Sequence, residues 1–216
     1  MSNVKQQISI PAVPDLPHPQ DSYDSRGFAQ TNAALRTFFL KLVNLLGALT
    51  GQRGGKYINT PYGAFQDSTD QTAASTTSAY AITFDTTDFT NGVTLSDSSR
   101  LNVSQAGLYN VQFSIQFKNT TNDTQDVDVW FRKNGTDIAK SNSRFGLAQR
   151  KASTDPSHTI GAMNFFVELA ANDYIQLMWR VSNTGVSIEQ YAADTSPTRP
   201  ATPSVIATVS FVSNIY

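Results

Sequence analysis

The stretch YNVQFSIQF at residues 109–117 alternates strictly between apolar and polar side chains. This pattern predicts a β-strand with one apolar and one polar face, because successive side chains of a strand point to opposite sides of the sheet. The same period of two recurs in longer runs at 127–131, 163–169, 175–181 and 205–211. Shorter strands are predicted at 80–84, 93–95, 101–103, 138–141 and 186–188. About ten strands with no helix between them predict a mainly β protein folded as an antiparallel sandwich.

Two turn sequences separate these predicted strands. Asn134-Gly135 follows the run at 127–131 and is the preferred pair for a two-residue hairpin, because both central residues take positive φ. Asn172 lies in the turn between two further runs.

The composition of the 216 residues argues against most enzyme classes and against binding to nucleic acid through overall charge. Lysine plus arginine number 16 and aspartate plus glutamate 17, so no positive surplus is present to hold phosphates. Cysteine is absent, which excludes disulfides, zinc–thiolate sites and thiol catalysis. Only His18 and His158 are available for metal binding or for a catalytic triad. We therefore predict no catalytic activity and no cofactor.

No segment is predicted to cross a membrane or to act as a signal peptide. The most apolar stretch, 35–49, contains Arg36, Lys41 and Asn44 and is too short to span a bilayer. The first residues lack a basic region followed by an apolar block. We expect a protein that is made in the cytoplasm and has no membrane partner.

The first 78 residues differ in character from the β-rich remainder. Residues 1–23 contain four prolines between positions 11 and 19, which favour an extended arm. Residues 24–50 are predicted to form an amphipathic helix. Residues 51–78 are rich in Gly, Ser and Thr and are predicted to be a linker before the β domain at 79–216.

The predicted helix begins at an N-cap, either Asp24 or Ser25, and carries a broad apolar stripe. Four apolar residues recur at the interval of seven at which helices pack along one another; they are Phe28, Leu35, Leu42 and Leu49. The positions between them are occupied by Phe38, Phe39, Leu45 and Leu46. The stripe predicts either self-association, for which its width suits three helices, or packing against the chain's own β domain.

Three short motifs in the β domain resemble those of the C1q/TNF-like jelly roll. They are AGLYNV (106–111), WFRKNG (130–135) and LAANDYIQL (169–177), and they occur in the family's order and at similar separations. The resemblance covers roughly residues 79–216. The sequence departs from the family at Asn172, where the family often has glycine, although asparagine tolerates the same left-handed turn conformation. The resemblance implies a jelly roll of about ten strands that assembles as a homotrimer through flat, aromatic-rich sheet faces, and it implies binding rather than catalysis. On this basis Tyr109, Phe113 and Trp130 join the helix stripe as expected interface residues.

The front of the chain resembles virion proteins of marine and cyanobacterial tailed phages, in which a short anchoring region precedes a C1q-like head. The similar stretches are YDSRGF (23–28), LRTFF (35–39), NTPYGAF (59–65) and 199–212. The resemblance implies that residues 1–55 anchor the chain to another virion protein of the capsid, portal or tail.

Loops between the strands supply the candidate ligand contacts: Asn119, Asn122, Asp123, Arg144, Phe145, Arg150, Lys151 and Tyr191. The basic group around Phe145 suits an acidic glycan or a neighbouring subunit, or it is simply solvated. The acidic residues at 123–128 form either a calcium loop or a solvated hairpin tip. The sequence leaves both alternatives open.

Two residue pairs carry groups that occur in catalytic sites. Ser157-His158 lies in a turn-rich stretch, and the Gly-x-Ser-x-Gly elbow of a serine hydrolase is missing, so we interpret His158 as a loop histidine. Glu168 and Glu189 are the only glutamates, and nothing in the sequence brings them together as a glycosidase pair.

These observations predict a non-catalytic structural protein of a tailed-phage virion. It is expected to be a homotrimer that displays jelly-roll heads as a capsid decoration, head fibre or tail fibre, with attachment to a host-surface glycan as a further role. The alternatives are a secreted or surface-displayed lectin-like module and a glycan-degrading enzyme.

Overall fold

The computed structural model describes residues 11–16, 22–50 and 60–214, with helix side chains as far as residue 47. The chain divides into two compact units, Met1–Asn59 and Thr60–Tyr216. The first unit contains helix α1 (Ser25–Thr50), and residues 11–16 have neither helix nor strand. The remainder of the predicted arm, the first nine residues of the predicted linker and His18 lie outside the described residues.

Helix α1 confirms the predicted helix and its cap. Asp24 accepts hydrogen bonds from the backbone N–H of Arg26 at 3.1 Å and of Gly27 at 3.0 Å, which satisfies two otherwise unpaired donors of the first turn. One stripe of the helix is half-buried, namely Leu35, Phe38, Leu42 and Leu45, whereas Phe28, Phe39 and Leu46 are exposed. The side chain of Leu49 lies outside the described part. Self-association through this stripe stays a prediction.

The second unit is built from strands of 2 to 13 residues in antiparallel pairs. In chain order they are β1 (Tyr62–Asp67), β2 (Gln71–Thr72), β3 (Tyr80–Ala81), β4 (Thr86–Asn91), β5 (Val93–Ser96), β6 (Arg100–Val103), β7 (Gly107–Asn119), β8 (Gln125–Lys133), β9 (Thr136–Asp137), β10 (Ser143–Leu147), β11 (Ser157–Leu169), β12 (Tyr174–Val181), β13 (Val186–Ile188), β14 (Asp194–Thr195), β15 (Thr198–Arg199) and β16 (Val205–Ser213).

These strands form two large sheets. The first sheet has the order β2-β13-β7-β16-β1-β4, with β11 paired to the other side of β7. The second sheet has the order β10-β8-β12-β6-β5, with β9 on β8 and β3 on β12. Strands β14 and β15 form a separate ribbon. The protein is therefore mainly β, with one helix and antiparallel sheets, as the sequence predicted.

The core consists of the inward-pointing residues of both sheets. On β7 every odd-numbered residue from Gly107 to Asn119 is buried, as the alternation at 109–117 predicted. Phe131 of the second sheet stacks on Phe165 of the first at 5.0 Å between ring centroids and lies 5.9 Å from Phe113. Burying large aromatic side chains between the sheets supplies much of the stabilisation of such a fold.

The predicted turns have the expected backbone geometry. Asn134 and Gly135 have φ of 48° and 85° and join β8 to β9, where Lys133 pairs with Thr136. Asn172 has φ of 68° in the turn before β12. The strand expected at 138–141 is instead the two-residue β9, because the hairpin turn is followed at once by its pairing partner.

The prediction of an interface position is wrong for two of the three β-domain residues, and the third lies on the outer side of the second sheet. Tyr109 and Phe113 are 0% and 4% exposed and lie in the chain's own core, so they do not face another subunit. Alternation along β7 gives the reason, because both residues are odd-numbered and point inward. Trp130 does point away from the core, opposite to its buried neighbours Val129 and Phe131, and lies on the outer side of the second sheet.

The β unit begins earlier than the predicted boundary at residue 79. Strand β1 lies within the predicted linker, pairs with β16 and β4, and places Phe65 fully in the core. The small residues Gly63 and Ala64 hide the alternation in this strand. A Cβ on Gly63 would lie only 2.6 Å from the Phe65 ring, so that ring requires a glycine there.

Candidate binding surfaces

Part of the outer side of the first sheet, between Glu168 at one end and Lys118 at the other, forms a surface without charged residues, which we call the uncharged face. It consists of the outward-pointing residues of three adjacent strands: Asn110, Gln112, Ser114 and Gln116 on β7; Ile160, Ala162, Asn164 and Phe166 on β11; Ile206, Thr208 and Ser210 on β16. Three large apolar side chains protrude from it, since Ile160 is 62%, Phe166 53% and Ile206 42% exposed. Exposed apolar side chains on one face of a sheet are a feature of many protein–protein contact surfaces.

Strand β11 lies at the edge of this face. It runs for 13 residues and pairs with β7, and it has no second partner among the described strands. Such a long edge with protruding Ile160 and Phe166 is a site of uncontrolled strand pairing unless something covers it. A shallow cavity of about 330 Å³ lies beside it, lined by Gln112, Phe113, Ala162, Met163 and Asn164.

At one end of the uncharged face, four polar side chains form a hydrogen-bonded chain. Lys118 on β7 pairs with Glu189, whose other oxygen accepts the hydroxyl of Tyr191 at 2.8 Å. The Tyr191 oxygen also lies 2.6 Å from Nδ1 of His158, the residue paired with Lys118 on the neighbouring strand. Because a carboxylate only accepts, the single hydroxyl proton serves Glu189 and the hydroxyl oxygen accepts from Nδ1–H of His158.

This arrangement keeps the Tyr191 hydroxyl protonated. Burial raises the pKa of Tyr191, and the hydrogen bond to the Glu189 carboxylate and its negative charge raise it further. Tyr191, one of the predicted ligand contacts, therefore donates to Glu189 and accepts from His158, which links the segment after β13 to β11.

A small cleft adjoins this chain, and we call it the basic cleft. It has a volume of about 250 Å³ and is lined by Lys118, Thr120, Arg150, Ser153, Thr154 and Pro156. Nε of Arg150 donates to the side-chain oxygen of Asn122 at 2.7 Å. The structure thus brings together Arg150 and Asn122, two of the predicted ligand contacts. Lys151, also predicted, is exposed beside the cleft and pairs with Asp155 at 3.9 Å.

Asn119 positions the loops that form the cleft instead of contacting a ligand. It is fully buried, and its amide donates to the backbone oxygens of Asp123 and Ala148, both at 2.9 Å. Its own oxygen accepts from the backbone N–H of Thr121 at 2.8 Å. The predicted contact at Asn119 is thereby corrected, because an amide with its polar atoms occupied and no exposed surface is a structural connector. Asp123 contributes to this connection through its backbone.

The remaining predicted loop residues belong to β10, which forms a strand where a loop was expected. Phe145 points inward and its ring lies 5.9 Å from that of Phe117, so it belongs to the core and not to a ligand surface. Arg144 points outward and forms a two-bond contact with Asp128 on β8, at 2.9 and 3.2 Å. Arg180 of β12 donates to the same carboxylate at 2.9 Å. Arg144 therefore lies on the second sheet, apart from the basic cleft.

These two arginines stabilise the ionised form of Asp128. Burial alone would raise the pKa of Asp128, but hydrogen bonds from Arg144, Arg180 and Asn142 outweigh it and lower the pKa to about 2. Asp128 is thus an acceptor that joins three strands of the second sheet. Its engagement with Arg144 and Arg180 leaves it unsuited to a calcium loop at 123–128. Among the described residues, no group of three or more His, Asp or Glu side chains is placed to hold a metal ion.

Neither Ser157 with His158 nor Glu168 with Glu189 is placed as a catalytic pair. Ser157 and His158 lie on β11, not in a loop, and adjacent strand residues point to opposite sides. The Ser157 hydroxyl donates inward to the backbone oxygen of Ala148. Glu168 lies opposite Leu108 on β7, whereas Glu189 pairs with Lys118. That separation along β7 is roughly 30 Å at ~3.3 Å per residue, beyond the reach of a glycosidase pair.

Sequence reasoning missed Lys118, Thr120, His158 and Glu189 as members of one site. One signal was present, because Lys118 is the only charged outward residue on the otherwise uncharged face of the strand that contains 109–117. The other members come from distant parts of the chain and meet only through strand pairing.

No helix in the described residues is both long and apolar enough to span a membrane. No protein-family model matches the sequence, and a search among curated proteins finds no match.

Proposed function

We propose that this chain is a non-catalytic structural protein of a tailed-phage virion. In this proposal three copies assemble through the uncharged face of a C1q/TNF-like jelly roll, and the N-terminal region anchors the trimer to another virion protein. The observation that carries the trimer is the uncharged face with its edge strand β11, which has no second partner among the described strands. The virion setting rests on the resemblance of residues 23–28, 35–39 and 59–65.

The strand orders support the jelly roll. Four strands of the first sheet follow the order β1-β16-β7-β11, and four of the second follow β6-β12-β8-β10. Among these eight strands, the chain runs from β1 in the first sheet to β6 in the second and returns to the first at β7. It then passes through β8 and β10 in the second sheet, β11 in the first and β12 in the second, and ends at β16 in the first. A jelly roll has this strand order: its eight strands form two Greek keys and lie in two packed sheets.

The composition of the uncharged face supports self-association over a different partner. Symmetric copies bring equivalent surfaces close together, so a face with a net charge would repel its own copies. The uncharged face carries Ile160, Phe166 and Ile206 among amides and hydroxyls, which gives burial without like-charge contacts. Covering this face also buries Ile160 and Phe166, the large apolar side chains that protrude from the edge strand β11.

Lysine substitutions on the face test the trimer. Ile160→Lys and Phe166→Lys each place a charge on the face, and three copies would meet with like charges and unburied apolar area. We expect both variants of the full chain to have one third of the wild-type mass by light scattering. Thr136→Lys adds the same charge on β9 of the second sheet and is the matched control, which should retain the wild-type mass.

Either of two results would contradict the proposed trimer. If the wild-type chain is monomeric at micromolar concentration, or if the two face variants keep its oligomeric mass, the uncharged face does not hold copies together.

Mass spectrometry of the purified phage particles whose genome encodes the chain tests the virion setting separately. We expect the chain there in copy numbers divisible by three, and its absence from the particles would contradict the proposal.

A further inference from the structure

We propose that the basic cleft binds one sugar residue bearing a carboxylate or phosphate group. This inference deepens the proposed function, because it rests on a head that is displayed outward and able to meet glycans. It starts from three properties of the cleft: its charge, its hydroxyl groups and its size.

The first property is the charge of the side chains that line the cleft. Lys118 and Arg150 line it, and none of its other lining residues is acidic. Glu189 contacts only one of the three donors of the Lys118 ammonium group. Arg150 uses Nε on Asn122 and turns Nη1 towards the backbone oxygens of Thr120 and Ser153, at 3.4 and 3.5 Å. Its Nη2 has no partner among the described residues, so a charged donor remains for an anion.

The other lining residues suit the rest of a sugar. Thr120 donates its hydroxyl to the backbone oxygen of Gly185 at 2.8 Å and so presents an acceptor. The hydroxyls of Ser153 and Thr154 make no hydrogen bond within the described residues, and Pro156 adds an apolar ring surface. A volume of about 250 Å³ lies below the roughly 300–1,000 Å³ of sites for drug-sized ligands. The cleft therefore has room for a single sugar residue.

The cleft is held in shape before any ligand arrives. The backbone N–H of Arg150 donates to the oxygen of Thr121 at 2.9 Å, and a short bridge between Ala152 and Asp155 closes the loop that carries Ser153 and Thr154. Asn119 ties the opposite loop to the same region, as described above. A site with fixed donors loses less entropy on binding than one that must be ordered by its ligand. Three such clefts in one trimer would add avidity to weak individual contacts.

Surface plasmon resonance on the immobilised full chain tests the inference with paired probes. Trigalacturonate is compared with its neutral methyl ester, and mannose 6-phosphate with mannose, which separates the carboxylate from the phosphate source. We expect one charged probe to bind more tightly than its neutral counterpart. Arg150→Gln should weaken that binding about tenfold or more, the size of a lost charge-assisted hydrogen bond.

Lys151→Gln is the matched control, because it removes one positive charge at the next position outside the cleft. It should change the affinity less than about twofold, as expected for a screened surface charge. Thr154→Trp fills the cleft and serves as a second variant if Arg150→Gln fails to fold. Binding that is equal for charged and neutral probes, or equal losses in Arg150→Gln and Lys151→Gln, would overturn the inference. Light scattering on the same samples reports the trimer independently, so the two failures are distinguishable.

Discussion

Replacement of Asp128 by asparagine tests how the second sheet is held together. The carboxylate is 7% exposed and accepts from Arg144 and Arg180, which lie on the strands to either side of β8. Its pKa falls from the ordinary 3.8 to about 2 in the folded chain. At 1.36 kcal/mol per pKa unit, this lowering corresponds to about 2.5 kcal/mol of folded-state stability.

The sign of the pH dependence follows from the lowered pKa. The unfolded chain binds a proton at Asp128 more readily than the folded chain does, so protonation favours unfolding. The contribution of Asp128 is therefore complete above about pH 5 and is lost as the pH falls from there through 2. Asparagine has no proton to gain in this range. We expect Asp128→Asn to be less stable than the wild type by about 2 kcal/mol at pH 7, with most of that difference gone at pH 2.

Urea denaturation of the full chain at a series of pH values measures this difference directly. Asp126→Asn is the matched control, because Asp126 lies two residues earlier on β8, is exposed and is hydrogen-bonded to neither arginine. Its effect should be small and nearly independent of pH. If the wild type and Asp128→Asn differ by a constant amount from pH 7 to pH 2, the ionised Asp128 does not stabilise the fold.

Three further substitutions test particular contacts. A Cβ added in Gly161→Ala would lie 2.5 Å from Cε2 of Phe117, so the melting temperature should fall; an unchanged value would contradict this packing. Phe131→Ala should lower the unfolding free energy in urea by about 3–5 kcal/mol, and a loss below ~1 kcal/mol would contradict its place in the core. Asp24→Ala should cost helix α1 about 1 kcal/mol, seen as reduced helical circular dichroism, and an unaltered signal would contradict the cap.

The sequence was sufficient to predict the parts of the fold that depend on local pattern. Strict alternation located β7 and its inward residues, Asn134-Gly135 located a hairpin, and Asp24 located the helix start. Each of these signals acts within a few residues, through side-chain direction or backbone conformation, so no knowledge of distant neighbours is needed.

Features that depend on distant neighbours could not be predicted in the same way. The sequence predicts a linker where β1 forms, because glycine and alanine stand where large residues usually mark a strand, and the pairing of β1 with β16 spans most of the domain. The sequence likewise predicts a loop at Phe145 where β10 forms, because only the pairing of β10 with β8 decides which side the ring faces. The hydrogen-bonded side chains of Lys118, Glu189, Tyr191 and His158 come from positions up to 73 residues apart, and strand pairing brings them together.

The mass of the unmodified full chain in solution is the most direct test of assembly through the uncharged face. Light scattering at micromolar concentrations should give three times the 23.6 kDa of one chain. A mass of 23.6 kDa that does not change with concentration would contradict the account, because Ile160, Phe166 and the edge of β11 would then remain exposed to solvent.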